Sequence, residues 1–273
     1  MTRNEADMAF KRRVQTVFEF IEPNDQMRIL DFPCGRGFYL NMIRYVCACE
    51  LVGADLDWAV VKAAKRALRH LDRIFVQRAS VISMPYPRDC FDALILSEVL
   101  EHIDDDVGAL REAYRVLKPG GVLAVTVPNA NYPLLWDPIN KLLETCFNRR
   151  IRRGPLAGIW ANHVRLYTPN QLRDAVVEAG FQIEEERSLT HHCFPFIHNL
   201  IYGFGKPLLE SRLLPHSMQS VADRHNFEAS SGRLNPVRLG VALFKVFDDK
   251  NSDDEGWERA TVNLALKGRK PYA

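Results

Sequence analysis

Hydrophobic residues along the chain form short continuous runs that alternate with amphipathic stretches. The runs predict five strands, at 28–32, 51–55, 73–77, 91–97 and 122–127. Helical spacing of apolar residues predicts helices between them, at 39–46, 59–71 and 107–117, and Lys118-Pro119-Gly120-Gly121 is predicted to stop the third. This alternation is typical of βαβ units, so the fold class is predicted to be α/β, with a doubly wound, mainly parallel sheet.

The second half of the chain has weaker patterns. Residues 128–166 are predicted to be rich in loops, and Thr168, Pro169 and Gln171 predict a capped helix that Gly180 ends. A strand is predicted from Phe181 to 185, and alternating apolar positions at 260–266 predict a last, half-buried strand at the sheet edge. We therefore divide the chain into a core at 1–190, an insertion at 191–256, and a final strand and tail at 257–273.

The insertion adds about seventy residues that an α/β core does not need, and its first half, from Phe194 to Phe204, is rich in aromatic residues. Phe194, Ile197, Ile201 and Phe204 fall at helical spacing. The segment is either a helix that packs onto the core, or a lid that forms a pocket wall for an apolar substrate or contacts a membrane surface.

Composition sets the broad class. The chain has 273 residues, 47% hydrophobic and 26% charged, and its formal charge is +2. One tight basic cluster, at 149–153, gives little support for binding to nucleic acid. Six cysteines without a C-x-x-C pair indicate neither a zinc ribbon nor a secreted disulfide framework, and no apolar run has the length of a signal peptide core or a membrane span. A cytoplasmic protein is expected.

The most informative segment is a strand, a tight turn and a helix start, Asp31-Phe32-Pro33-Cys34-Gly35-Arg36-Gly37. Glycine lets the backbone approach a ligand closely, and ligands bind at the carboxyl ends of the strands in a doubly wound sheet. Asp55 ends the second strand, where a carboxylate can accept both hydroxyls of a ribose. The turn by itself fits a nicotinamide or nucleotide enzyme equally well.

Four further segments complete an ordered set: Met84-Pro85-Tyr86, Phe91-Asp92-Ala93-Leu94, Glu98-Val99-Leu100-Glu101-His102 and Leu117-Lys118-Pro119-Gly120-Gly121. Over about residues 27–190 the set resembles class I S-adenosylmethionine-dependent methyltransferases of the small-molecule type, similar to the ubiquinone methyltransferases. The resemblance implies a Rossmann-like, seven-stranded sheet whose last strand runs antiparallel. It also implies S-adenosylmethionine as the cofactor.

The resemblance further implies which residues touch the cofactor, all of them at strand ends. Asp31, with the backbone of Cys34, Gly35 and Gly37, is expected to surround its methionine part. Asp55 is expected to hold the ribose. The remaining contacts are Leu56 and Val81 on either side of the adenine, and Ser97 on the methionine side.

Two positions depart from the family pattern. Pro33 stands where the family usually has glycine, and it fixes φ and removes a backbone donor. Ser80 stands where the family usually has an aspartate that contacts the adenine amino group, so a hydrogen-bonding group remains but the charge is lost. A relative with a defective cofactor site is therefore an alternative.

Two histidines are candidates for catalysis. His102 follows the fourth strand, and it is either a base or substrate anchor, or part of an acidic segment that orients the next helix. Similar Glu-x-x-Glu-His segments bind a divalent cation in ubiquinone-type O-methyltransferases, but many relatives carry the segment without metal, and no metal ligand is assigned here. His163 precedes the capped helix, in a segment that resembles one lying over the acceptor pocket in relatives. A structural role for His163 fits equally well.

These observations predict a methyltransferase that acts on an oxygen or carbon of a small, apolar or lipid-like acceptor. The alternative is an inactive protein that keeps the cofactor fold and serves as a membrane-peripheral scaffold. Nucleic acid is not expected as a partner, because the chain lacks a basic face with interleaved aromatic residues. Peripheral contact of the aromatic insertion with a membrane surface stays an alternative.

Overall fold

A computed structural model describes residues 7–197 and 244–272. Within them the chain forms a seven-stranded sheet in the order β3-β2-β1-β4-β5-β7-β6. The strands are β1 (Arg28–Asp31), β2 (Glu50–Asp55), β3 (Ile74–Arg78), β4 (Phe91–Ser97), β5 (Leu117–Pro128), β6 (Gln182–Leu189) and β7 (Asn263–Arg269). The helices are α1 (Met8–Ile21), α2 (Phe38–Val46), α3 (Trp58–Ala67), α4 (Asp106–Val116), α5 (Pro138–Phe147) and α6 (Pro169–Glu178). Two 3₁₀-helices lie at Leu100–His102 and Gly158–Trp160.

The sheet is mainly parallel, as the sequence predicts. β1 pairs in parallel with β2 and β4, and the pairs β2–β3 and β4–β5 are parallel too. β7 runs the other way: near its end Lys270 bonds to Gly120 and Gly121, and before its start Val262 bonds to Asn129. The predicted fold class, with an antiparallel last strand, is confirmed.

Central strands form the core of the sheet because both of their faces are covered. Ile29 and Leu30 of β1 and Leu94 and Ile95 of β4 are fully buried. Edge strand β3 has only partly buried or exposed side chains, so its pattern in the sequence is weaker. The predicted runs at 28–32, 51–55 and 91–97 match β1, β2 and β4 within one residue.

Three predictions about local structure were wrong or incomplete. The predicted stop at 118–121 is already strand: α4 ends at Val116, β5 begins at Leu117, and a bulge shifts the register. Residues 128–166 are not only loop, because Asp137 caps α5 and Pro138 fills its first turn. The sequence interpretation did not include α1.

The chain divides into two compact units. The sheet unit comprises Val14–Val127, Tyr167–Arg187 and the chain from Leu264 onward. The insertion unit comprises the described residues up to Arg13, Pro128–Leu166, and the described residues of 188–263. The predicted boundaries at 190 and 256 stay a prediction, since residues 198–243 lie outside the described chain.

A buried carboxylate links distant parts of the insertion unit. Asp248 accepts hydrogen bonds from Lys11 Nζ at 2.7 Å and from Arg12 Nε at 2.6 Å. Burial raises the pKa of Asp248, but the hydrogen bonds from Lys11 and Arg12 outweigh it and hold that pKa below its usual range. The ionised carboxylate therefore stabilises the folded unit above about pH 4.

Asp248→Asn is expected to lower the free energy of unfolding by about 2 kcal/mol at neutral pH, because two charge-assisted hydrogen bonds lose their charge. The difference from the native protein should shrink as the pH falls through the lowered pKa of Asp248. Thermal unfolding at several pH values measures this. The matched control is Asp249→Asn, which removes an exposed partner of Lys245 and should change stability by less than about 0.5 kcal/mol. Equal melting temperatures for the two variants would contradict the role given to Asp248.

Candidate active site at the carboxyl ends of the strands

The turn after β1 is held between its two neighbouring strands. The Phe32 N–H donates to the carbonyl of Ile95 in β4 at 3.0 Å, and the Cys34 N–H donates to the carbonyl of Ala54 in β2 at 2.8 Å. Pro33 lies between these two donors, and the Phe32–Pro33 peptide is cis. Because its neighbours on both sides make the hydrogen bonds, a proline at this position removes no donor that the turn uses.

The two glycines of the turn have different roles. Gly37 has φ +85° and precedes α2, and this left-handed conformation favours glycine, while a Cβ there would also press on the Leu68 side chain at 2.5 Å. Gly35 has φ +52°, and a Cβ there would meet nothing within 4 Å. The Gly35 backbone therefore borders open space at the sheet edge, where a ligand can approach it.

Asp31 is the most unusual residue of the site. It ends β1, its side chain is fully buried, and neither carboxylate oxygen has a hydrogen-bond partner among the described residues. Burial, and then the charge of nearby Asp55, raise the pKa of Asp31 well above its usual range. A buried acceptor without a donor is costly, so the carboxylate is suited to a ligand that brings a donor or a positive charge.

Asp55 is positioned by two backbone donors. Its Oδ2 accepts from the Gly35 N–H at 3.2 Å, and its Oδ1 accepts from the Asp57 N–H at 3.0 Å. Asp57 in turn caps α3 by accepting from the Ala59 N–H at 2.7 Å. The Asp55 carboxylate is partly exposed and keeps lone pairs for further donors.

The predicted adenine contacts follow β2 and β3. Leu56, directly after β2, is exposed, and the Arg78 side chain donates to its carbonyl at 2.9 Å. Val81 is buried in the turn after β3, which closes where the Ser83 N–H donates to the Ser80 carbonyl at 3.2 Å. Their contact with a ligand remains a prediction.

Cys34 has an inward-facing side chain. Its thiol is buried, and burial raises the pKa of the thiol far above its usual range, so the thiol stays protonated. A Cβ on Gly53 of β2 would lie 3.1 Å from the Cys34 side chain, so glycine at 53 makes room for the turn. Cys34 can face a ligand only with its backbone, as predicted for it.

A hydroxyl network surrounds Ser97 at the end of β4. Ser97 Oγ lies 3.2 Å from the Tyr39 hydroxyl and 2.9 Å from Thr126 Oγ1. Thr126 in turn donates to Glu98 Oε1 at 3.2 Å. The sequence interpretation missed Tyr39 and Thr126, because they come from α2 and β5 and no local motif links them to Ser97.

His102 lies on the 3₁₀-helix that follows β4. Its Nε2 is 3.6 Å from Oε1 of Glu101, whose side chain is fully buried, while the imidazole is partly exposed. The buried Tyr167 hydroxyl fixes this helix by donating to the Leu100 carbonyl at 3.3 Å, and it lies 2.5 Å from Asp106 Oδ2 at the start of α4. The 3₁₀-helix therefore holds His102 in place at the same edge of the sheet as Ser97.

Two carboxylates, a glycine-lined opening and a histidine lie on one edge of the sheet, and comparison with known proteins shows what this region is similar to. A family model described as a methyltransferase domain matches residues 30–125. The ubiquinone/menaquinone biosynthesis C-methyltransferase of Pasteurella multocida is 34% identical over 170 residues, covering 57% of this chain and 62% of that protein. Residues 30–125 therefore carry a methyltransferase domain, similar to those of S-adenosylmethionine-dependent methyltransferases.

Two further similarities extend this result. The sterol 24-C-methyltransferase of Candida albicans is 29% identical over 170 residues, which cover 61% of this chain and 43% of that protein. The crystal structure of the cyclase SpnF has a TM-score of 0.60 and 21% identity, and covers 96% of this chain and 82% of SpnF. The SpnF match shows the fold alone. The aligned part of the chain spans about half the length of the curated relatives it matches.

The methyltransferase domain fits S-adenosylmethionine at this edge. The cofactor carries an ammonium group and two ribose hydroxyls, all of them hydrogen-bond donors. Asp31 offers buried acceptors that have no protein donor among the described residues. Asp55 offers further acceptors, and the Gly35 N–H orients its carboxylate. Gly35 leaves open space beside both.

The Met84-Pro85-Tyr86 segment of the methyltransferase motif set is tied to α4. Arg115 donates to the carbonyls of Met84 and Tyr86 at 2.8 Å and 2.7 Å, and Glu112 accepts from the Met84 N–H at 2.7 Å. The hydrogen bond from Arg115 lowers the pKa of Glu112. This segment therefore has a structural role, since it closes the long loop between β3 and β4.

The insertion unit contains the remaining predicted residues. His163 is half-buried, and its N–H donates to the Trp160 carbonyl at 3.3 Å. Phe194 packs against Phe247 with ring centroids 5.5 Å apart, and Ile197 is fully buried. Phe194 and Ile197 thus pack within the insertion unit, and the alternatives given for the whole segment stay predictions because Ile201 and Phe204 lie outside the described residues. No helix of the described chain is long and apolar enough to cross a membrane.

Proposed function

We propose that the protein transfers a methyl group from S-adenosylmethionine to a carbon or oxygen of a small, apolar or lipid-like acceptor. The observation that carries the proposal is the buried Asp31 carboxylate without a protein donor, beside Gly35 and Asp55. Such a carboxylate lowers stability unless a ligand completes its hydrogen bonds. The family match at residues 30–125 supports S-adenosylmethionine as that ligand.

The cofactor roles follow from the chemistry of each side chain. Asp31 would accept from the cofactor ammonium, and Asp55 would accept from the ribose hydroxyls. The backbone of Cys34, Gly35 and Gly37 would line the methionine part. Leu56 and Val81 would flank the adenine, and Ser97 would close the methionine side with its hydroxyl network. Bound S-adenosylmethionine supplies an already activated methyl group, so the protein chiefly has to orient the acceptor and manage a proton.

The acceptor class rests on two supports. Two relatives are named as C-methyltransferases, one of ubiquinone/menaquinone biosynthesis and one of sterols, and both names belong to lipid-like chemistry. Within the insertion unit, the Phe196 N–H donates to the Leu135 carbonyl at 2.9 Å, and Leu134, Leu135 and Phe196 are all exposed. These side chains offer an apolar surface for an acceptor of that kind.

His102 is the candidate base. Methyl transfer to a hydroxyl or to a carbon acid releases a proton, which a positioned imidazole can take. The buried Glu101 carboxylate, 3.6 Å from His102 Nε2, would stabilise the imidazolium that results. His163 remains the second candidate.

His102→Gln is expected to lower kcat about 100-fold, because glutamine keeps the size and hydrogen bonding of the side chain but cannot take a proton. The dissociation constant for S-adenosylmethionine should stay within about two-fold of the native value. Initial rates and calorimetric titration measure the two quantities. His70→Gln, at an exposed position after α3, is the control and should change neither. Full activity of His102→Gln would exclude His102 as the base and leave His163.

The acceptor class is tested with methyl-labelled S-adenosylmethionine. The purified protein is incubated with separate lipid and polar-metabolite extracts, and the labelled products are separated by chromatography and mass spectrometry. Label in quinone-like or sterol-like compounds is expected. Label confined to polar metabolites would overturn the acceptor class. Cofactor binding with no labelled product in any fraction would favour the inactive scaffold, an outcome that the fold permits because SpnF, named as a cyclase, shares it.

A further inference from the structure

A basic and apolar surface is formed by α5 and the loop after it. Its apolar members protrude strongly: Phe147 is 69% exposed and Leu156 41%. Its basic members are Arg149, Arg152 and Arg153, all exposed. Large apolar side chains that protrude beside several cations do not stabilise the fold, so an interaction is the better explanation.

The loop has a fixed conformation. Asn140, fully buried, accepts from the Ile151 N–H at 2.7 Å and donates to the Ala157 carbonyl at 3.0 Å. Asp137, also fully buried, accepts from the Asn140 side chain and from the Ile159 N–H at 3.0 Å. These bonds return the loop to the first turn of α5. The exposed side chains are therefore presented from an ordered support.

The packing of Gly158 explains how the loop comes this close to α5. Its φ is +53°, and a Cβ at this position would lie 1.8 Å from Asp137 Oδ2. Only glycine satisfies both conditions. Glycine at 158 therefore allows the loop to lie against the buried Asp137 and Asn140.

Two of the arginines have no structural use in the described chain. Arg150 is committed: it donates to Glu144 at 2.8 Å and lies 4.2 Å above the Trp160 ring. Arg149 and Arg153 make no ion pair with any described residue. Glu144 is the sole acidic residue between positions 138 and 173 of the sequence, and it is already engaged by Arg150 and by the Tyr132 hydroxyl. The local charge is therefore strongly positive and uncompensated.

We propose that this surface docks the protein onto an anionic phospholipid bilayer. Phe147 and Leu156 would enter the boundary between head groups and acyl chains, and the three exposed arginines would contact lipid phosphates. A nucleic acid would use the cations but would leave the protruding apolar side chains in water. The combination of both features favours lipid. The inference goes beyond the proposed function and does not depend on the acceptor.

The test is flotation of the full-length protein with vesicles of phosphatidylcholine alone, and with vesicles of phosphatidylcholine and phosphatidylglycerol in equal parts. Binding to the anionic vesicles, weakened by salt, is expected. Arg149→Glu with Arg153→Glu should weaken it more than about 25-fold, since each cation near an anionic surface contributes about five-fold. Phe147→Ser should weaken it about ten-fold or more.

Matched controls exist in the sheet unit. Phe75→Ser is the control for Phe147→Ser, because Phe75 on β3 is 61% exposed. Arg66→Glu with Arg69→Glu is the control for the arginine pair, because it makes the same change of charge at two exposed positions, one in α3 and one just after it. Neither should alter vesicle binding. The proposal is overturned if the native protein binds neither vesicle type, if it binds both equally, if the controls weaken binding as much, or if only RNA or DNA is bound. Calorimetric titration of every variant with S-adenosylmethionine separates this result from a failure of the proposed function.

Discussion

Asp31→Asn is expected to melt about 3 °C or more above the native protein in the absence of cofactor, while its affinity for S-adenosylmethionine falls at least about 100-fold. The first effect follows because, at neutral pH, the buried Asp31 either carries a charge without a donor or holds a proton that the unfolded chain releases, and asparagine avoids both costs at the same size. The second follows because the neutral amide cannot pair with the cofactor ammonium. Differential scanning calorimetry and titration calorimetry measure the two effects on the same samples.

The pH dependence gives a second signature of Asp31. Its pKa is raised in the folded protein, so the folded state keeps a proton that the unfolded state loses above about pH 4. The cofactor-free native protein should therefore lose stability as the pH rises toward that raised pKa, and Asp31→Asn should not. Cofactor affinity of the native protein should instead weaken as the pH falls below the raised pKa, because the ammonium requires the ionised carboxylate. A variant that is less stable than the native protein and binds cofactor normally would contradict both expectations.

Asp55→Ala is expected to weaken S-adenosylmethionine binding by about 10²- to 10⁴-fold. Two hydrogen bonds from ribose hydroxyls to a charged acceptor contribute about 1.5–3 kcal/mol each, and alanine removes both. The Gly35 N–H also loses its 3.2 Å acceptor, so the turn is oriented less firmly. Titration with S-adenosylmethionine and with S-adenosylhomocysteine should show the same loss, since both carry the ribose.

The control is the neighbouring aspartate. Asp57→Ala removes the cap of α3 and should cost about 1 kcal/mol of stability, yet leave cofactor affinity within about three-fold. Equal loss of binding in both variants would mean that the effect arises from the loop after β2 as a whole. Unchanged binding in Asp55→Ala would assign the ribose to another group.

The sheet and the carboxylates could be predicted from the sequence because local signals carry them. β1, β2 and β4 are continuous apolar runs, and the capping box at Thr168 and Gln171 is a local hydrogen-bond pattern that the structure contains. Asp31 and Asp55 each end such a run, so the carboxyl-edge rule brings them to one place. The two side chains are near enough that the charge of Asp55 helps to raise the pKa of Asp31.

The parts that could not be predicted depend on contacts between distant segments. Tyr39, Ser97 and Thr126 meet through three different elements, and none of them has a local pattern. Asp137 followed by Pro138 is a helix-start signal, but α5 is short and a basic segment follows it directly, so the helical spacing of its apolar residues was not recognised. A Cβ at Gly53 would meet the Leu40 side chain at 2.5 Å and the Cys34 side chain at 3.1 Å, and both belong to other elements. Each of these features arises from tertiary packing, which sequence periodicity does not encode.

The path of the chain has a consequence for how new specificities arise. The chain leaves the sheet unit after Val127 and returns at Tyr167, and it leaves again after Arg187 and returns at Leu264. Asp31, Asp55 and His102 all lie outside the two excursions. Either excursion can therefore be exchanged between homologues without replacing the residues proposed to hold the methyl donor. In this fold, the sheet unit that holds the proposed donor site can stay the same while the two excursions, and with them the acceptor, change.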